Sequence, residues 1–124
     1  MSRSWLLYLD DLIESAEKIE RFVAGRTLAA FSSDEVILDA VLFNLQVIGE
    51  AVKHLPEEAR SSMPEASSSG PARLRDLIVH HYFSLDVEII WEVATTHVPR
   101  MLAQARRLRD QVDGNNPSKD SLKE

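Results

Sequence analysis

The chain has no cysteine, only four glycines and five prolines, and no apolar run approaching the length of a membrane span. The first absence removes disulfides, thiolate nucleophiles and cysteine-type zinc sites together. Glycine and proline are too scarce for the many tight turns of an all-β chain. A bilayer-crossing helix needs about 20 consecutive apolar residues, and no stretch comes near that. The opening Met1-Ser2-Arg3-Ser4-Trp5, followed by Asp10-Asp11, lacks the form of a secretory signal, so the expected compartment is the cytoplasm. Positive charge is short as well: 14 basic residues stand against 20 acidic ones, a formal net charge of -6. That balance excludes a general electrostatic attraction for nucleic acid, and any RNA or DNA contact has to be local.

What is present is ordinary globular material. The 124 residues are 44% hydrophobic and 27% charged, enough for one domain with its own core. Trp5, Leu9, Leu12, Ala16, Ile19 and Val23 alternate spacings of four and three, which predicts a helix ended by Gly25. Ser32 with Glu35 reads as a capping box opening a second helix. Its stripe, Ile37, Val41, Asn44, Ile48, Ala51 and Leu55, is flanked by a second row, Leu38, Leu42, Leu45, Gly49 and Val52. Such a wide apolar face marks the central helix, with Asn44 expected to bond across the core and Gly49 to permit close approach of a neighbour. Pro56 closes it, and a short helix is expected over 57–63. Residues 64–71 then read as a loop, and Pro71 opens a helix to about Phe83. Ser84, backed by Asp86 and Glu88, is the expected cap of the last helix. The stripe of that helix runs from Val87 through Trp91, Ala94, Val98, Met101, Ala105 and Leu108 to Val112, so Pro99 should kink it rather than end it. The predicted fold is an all-α, up-and-down bundle of four main helices plus a short one. Residues 1–113 form the domain, and 114–124 form a tail expected to lack structure.

The chemistry concentrates in Arg73-Leu74-Arg75-Asp76-Leu77-Ile78-Val79-His80-His81-Tyr82-Phe83. On a helical wheel, Leu74, Leu77, Ile78, His81 and Leu85 make a core stripe. Arg75, Asp76, Val79, His80, Tyr82 and Phe83 share the opposite side, an aromatic and ionisable face of the kind that meets a partner or lines a site. Arg75 and Tyr82, seven apart, nearly eclipse. Asp76 lies four residues before His80, where a carboxylate would fix the imidazole tautomer and favour the charged form wanted in a general acid. Arg75 and His80 point well apart on one helix, and a symmetric dimer would solve this by facing two copies across a groove. Read from residue types alone, Arg75, His80 and Tyr82 are equally compatible with a functional set and with ordinary helix surface, and Asp76 with no more than a surface ion pair to Arg73. His81 reads as a core histidine. His54 and His97 have no second ligand at metal spacing, so no metal is expected. Arg106, Arg107 and Arg109 read as solvated helix surface, with a phosphate patch as the rival reading.

Arg75-Asp76-Leu77-Ile78-Val79-His80-His81-Tyr82 resembles the Arg-x-x-x-x-His-x-Tyr pattern of the HepT-like proteins, toxin members of the HEPN superfamily. Asn44-Leu45-Gln46-Val47-Ile48-Gly49-Glu50-Ala51, Tyr8-Leu9-Asp10-Asp11-Leu12-Ile13 and the stretch from Tyr82 to Trp91 are similar to the family's other signatures. The likeness runs from about residue 5 to 105 in the same order. It implies an all-α bundle and a metal-independent ribonuclease whose dimer assembles two Arg/His pairs, with no cofactor. Arg75 would hold the scissile phosphate, and His80 would be the general acid or base for attack by the ribose 2′-hydroxyl. Tyr82 would accept AMP from a small nucleotidyltransferase antitoxin, placing bulk and negative charge beside Arg75. Asp76 takes the polar position after the arginine, often asparagine in the family, and would support His80. Phe43 stands where a basic residue is frequent, and the Pro-Trp element often found before the motif helix is absent from 66–71. Two other readings share the bundle. One is a non-catalytic module that binds a nucleotidyltransferase through the face around Tyr82. The other is a structural dimer, in which joint replacement of Arg75, Asp76, His80 and Tyr82 would cost nothing but stability.

Overall fold

The computed structural model describes residues 4–68 and 86–114. All regular structure among them is helical, in agreement with the expected all-α class. Helix α1 (Trp5–Val23) buries Leu9, Leu12, Ala16 and Ile19. The Ser4 hydroxyl caps it by accepting the Leu6 N–H at 3.3 Å. Gly25, at φ 71°, makes the left-handed turn that ends it, a conformation costly to any residue with a Cβ.

The next helix is one that periodicity alone does not show. Thr27 accepts the Ala30 N–H and starts α2 (Leu28–Ser32), whose Phe31 is fully buried with its ring centroid 5.1 Å from that of Trp91. Ser32 therefore ends a short helix and does not open the long one. The cap of α3 (Glu35–Lys53) is Asp34, which accepts the Ile37 N–H at 3.1 Å and pairs with Arg26 at 3.2 Å. Two cap-type residues compete here. The need to bury Phe31 claims residues 28–32, and the Arg26 partner favours Asp34.

Helix α3 has the expected wide apolar face: Val41, Leu42, Leu45, Ile48, Gly49, Ala51 and Val52 are all buried. Its principal neighbour among the described helices is α1, and α1 in turn packs on the last helix. Asn44 is buried within the same face but, among the described residues, makes no bond across the core. Its Nδ2 donates to the Ala40 carbonyl one turn back at 2.8 Å, so the amide nitrogen finds its acceptor within its own helix. The short α4 (Glu57–Ser61) lies within the predicted 57–63. Residues 64–68, expected as loop, instead form α5 (Pro64–Ser68), with Met63 and Ala66 buried in the core. Proline at the first helical position loses no bond, and the apolar pair gives the turn a reason to close.

Asp86, not Ser84, caps α6 (Val87–Glu92), accepting the Glu88 N–H at 2.8 Å. A π-helical turn, Val93–His97, leads without a break into α7 (Val98–Gly114). The expected continuity through Pro99 is correct, but the irregularity lies ahead of the proline. Pro99 has no N–H for the Thr95 carbonyl, and its ring would crowd that carbonyl in a regular helix. The wider turn makes room: Val98 N–H reaches back five residues to Val93 O, and the Thr95 hydroxyl donates to Trp91 O at 2.7 Å. The helix expected over 71–83 and the tail after 114 lie outside the described residues.

Candidate active site

Arg75, Asp76, His80 and Tyr82, with the neighbouring His81, all fall within 69–85, outside the described residues. What the structure does describe is how the chain enters and leaves that stretch. On the far side, Asp86 and α6 are tied down by Ile90 in the core and by Trp91 against Phe31.

On the near side the anchor is polar. Glu65, in the first turn of α5, meets three side chains of the last helix. One carboxylate oxygen lies 2.9 Å from His97 Nδ1 and the other 3.6 Å from Arg100 Nη1, while its backbone N–H donates to Gln104 Oε1 at 3.1 Å. An ionised carboxylate only accepts, so in this pair Nδ1 carries the hydrogen. First-turn N–H groups have no partner within their own helix, and Gln104 supplies one from across the interface. Sequence reasoning missed this cluster because Glu65 sits among serines and a proline that read as loop. The available signal was the spacing of His97, Arg100 and Gln104, which share one face of a helix.

His54 has a different role from His97. Its ring stacks on Tyr8, with centroids 4.1 Å apart and planes 9° from parallel, joining the C-terminal end of α3 to the first turns of α1. Glu50 approaches its Nε2 at 4.0 Å. Two of the three late arginines settle as ion-paired surface: Arg106 bonds Glu17 at 2.8 Å, and Arg109 bonds Asp10 at 3.0 Å and Asp113 at 3.3 Å. With their charges answered by carboxylates, these two make a poor phosphate patch. Among the described residues no group of three histidine or acidic side chains is placed to hold a metal ion, and no helix is long and apolar enough to cross a membrane.

Comparison with known proteins decides the relationship. The family model described as "Ribonuclease HepT-like" matches residues 12–108. The chain belongs to the HepT-like ribonuclease family. A Methanocaldococcus jannaschii protein named "Putative RNase" is 36% identical over 88% of this chain and 90% of its own length. "Probable ribonuclease HepT" of Thermococcus cleftensis is 34% identical over 88% of this chain and 99% of its own. A longer M. jannaschii protein, named as both a gamma-glutamylcyclotransferase and an RNase, is 29% identical, and the matched part covers 54% of it. No solved structure matches the chain. Membership places the chain among ribonucleases, and the HepT-like match spans every described helix from α2 to α6 together with the Arg75–Tyr82 motif between α5 and α6.

Proposed function

We propose that this HepT-like protein is the toxin of a toxin–antitoxin pair, a metal-independent endoribonuclease that acts as a homodimer and is neutralised by a nucleotidyltransferase. The observation that carries the reading is the sequence Arg75-x-x-x-x-His80-x-Tyr82, standing inside a chain that matches a ribonuclease family over 12–108. In this reading Arg75 binds the scissile phosphate and stabilises the charge that develops on it. His80 takes the proton of the ribose 2′-hydroxyl as that oxygen attacks phosphorus, or returns a proton to the departing 5′-oxygen. A dimer brings two such pairs to one groove, which answers the divergent directions that Arg75 and His80 would take on an ideal single helix. Asp76 orients His80. AMP transferred to Tyr82 adds negative charge beside Arg75 and blocks phosphate binding.

The test is to induce wild-type and His80→Ala proteins in parallel without an antitoxin, following growth and total-RNA integrity, tRNA included. Growth arrest with new RNA ends in the wild type alone is the expected result. Intact RNA in both, with both shown folded and dimeric, would defeat catalysis.

The net charge of -6 favours a second reading, a binding module without catalysis. In that case Tyr82→Phe or Phe83→Ala weakens binding of a nucleotidyltransferase, while RNA stays whole whatever stands at residue 80.

A further inference from the structure

Helix α5 has five residues, too few to hold its shape unaided. Met63 and Ala66 supply its apolar contact with the core, and a third apolar residue at position 65 would be the simpler way to add stability. The chain instead carries a carboxylate there with its side chain only 16% exposed. Its partners stay in contact with water, His97 at 31% and Arg100 at 62% exposed, so these ionic contacts contribute little net stability, and their best use is to hold one geometry against others. The contacts of Glu65 have that character. Its main chain is held by Gln104, one carboxylate oxygen by His97 and the other by Arg100, so that both the placement and the rotation of α5 are defined from a single residue. The π-helical turn sets the direction from which His97 arrives, because His97 is its last residue. Directly beyond Ser68 the chain enters the stretch that carries Arg75 and His80.

We propose that Glu65, held by His97, Arg100 and Gln104, is a positioning residue for RNA cleavage: it sets the point from which the Arg75–His80 stretch departs. The role rests on the ribonuclease reading above. Glu65 touches no reacting atom in this account. It acts through the placement of the groups that do.

The experiment uses the full-length chain and compares wild type, Glu65→Ala, His97→Phe and His97→Asn in steady-state RNA cleavage, with amide hydrogen exchange measured on the same samples. Misplacement of reacting groups by a fraction of an ångström lowers turnover more than binding, so Glu65→Ala and His97→Phe should each lose about tenfold in kcat with KM changed by less than about twofold. His97→Asn keeps an N–H donor near the place of Nδ1 and should recover most of the rate. Exchange should rise at 64–68 and stay unchanged in α1 and α3. Full activity of Glu65→Ala and His97→Phe, beside an active wild type, overturns the positioning role and leaves the ribonuclease reading standing. A fall in activity that His97→Asn fails to recover, accompanied by faster exchange throughout α1 and α3, also overturns it, since the residue would then serve only the fold. An inactive wild type overturns the ribonuclease reading itself, and the positioning role with it.

Discussion

The α1–α3 interface and the junction between α5 and the last helix are held by opposite means. Between α1 and α3, alternating aliphatic side chains interlock, and the stability follows from the apolar area removed from water. At the α5 junction two apolar contacts are supplemented by an acid, a histidine, an arginine and an amide. Aliphatic packing tolerates exchange of one side chain for another of similar volume, whereas a bonded carboxylate has only a few acceptable arrangements. The first interface keeps the protein folded. The second fixes where a chain segment begins.

Substitution can break that contrast in order of size. Ile48→Ala removes a fully buried side chain from the middle of α3 and should destabilise by about 2–5 kcal/mol, measured as a lower midpoint in urea with the slope unchanged. Asp34→Ala removes both the α3 cap and the Arg26 partner. The expected cost is about 1–2 kcal/mol in the same assay, and Asp34→Asn, which keeps the cap acceptor, should recover most of it. Arg106→Ala breaks an exposed pair with Glu17 and should cost at most about 1 kcal/mol, a difference that shrinks further in high salt. A reversed order, with the surface pair costing more than Ile48, would show that the division between packing and placement is wrong.

The long helices were legible because their evidence is periodic. Leu9, Leu12, Ala16 and Ile19, like Val98, Met101, Ala105 and Leu108, repeat at helical spacing, and the burial follows that rhythm. The short pieces were not legible, for a physical reason. A five-residue helix such as α2 or α5 is too brief to show a period, and what stabilises it is a partner distant in sequence: Trp91 for Phe31, His97 for Glu65. Cap assignment failed at Ser32 and Ser84, where two suitable residues stood close together; at Ser32 the burial of Phe31 and the Arg26 partner of Asp34 chose between them. Asn44 shows a third limit. A polar residue in an apolar stripe announces a need for a hydrogen bond without saying where it is met, and here the Ala40 carbonyl of its own helix meets it. The candidate site was read wholly from local sequence, from the types and spacing of Arg75, Asp76, His80 and Tyr82. The Glu65 anchor depends on residues more than thirty positions apart: the spacing of His97, Arg100 and Gln104 marks one polar face, and nothing local ties Glu65 to it.

The contact between Phe31 and Trp91 has a practical side. The chain has two tryptophans, Trp5 and Trp91, and among the described residues only Trp91 lies against another aromatic ring. With Trp5 replaced by phenylalanine, the remaining indole becomes an optical probe of one event, the seating of the last helix on α2. Its emission should then follow closure at that end of the bundle, separately from the helical content seen by circular dichroism. If the last helix docks late, the two signals will part during refolding. If the whole bundle forms in one step, they will superimpose.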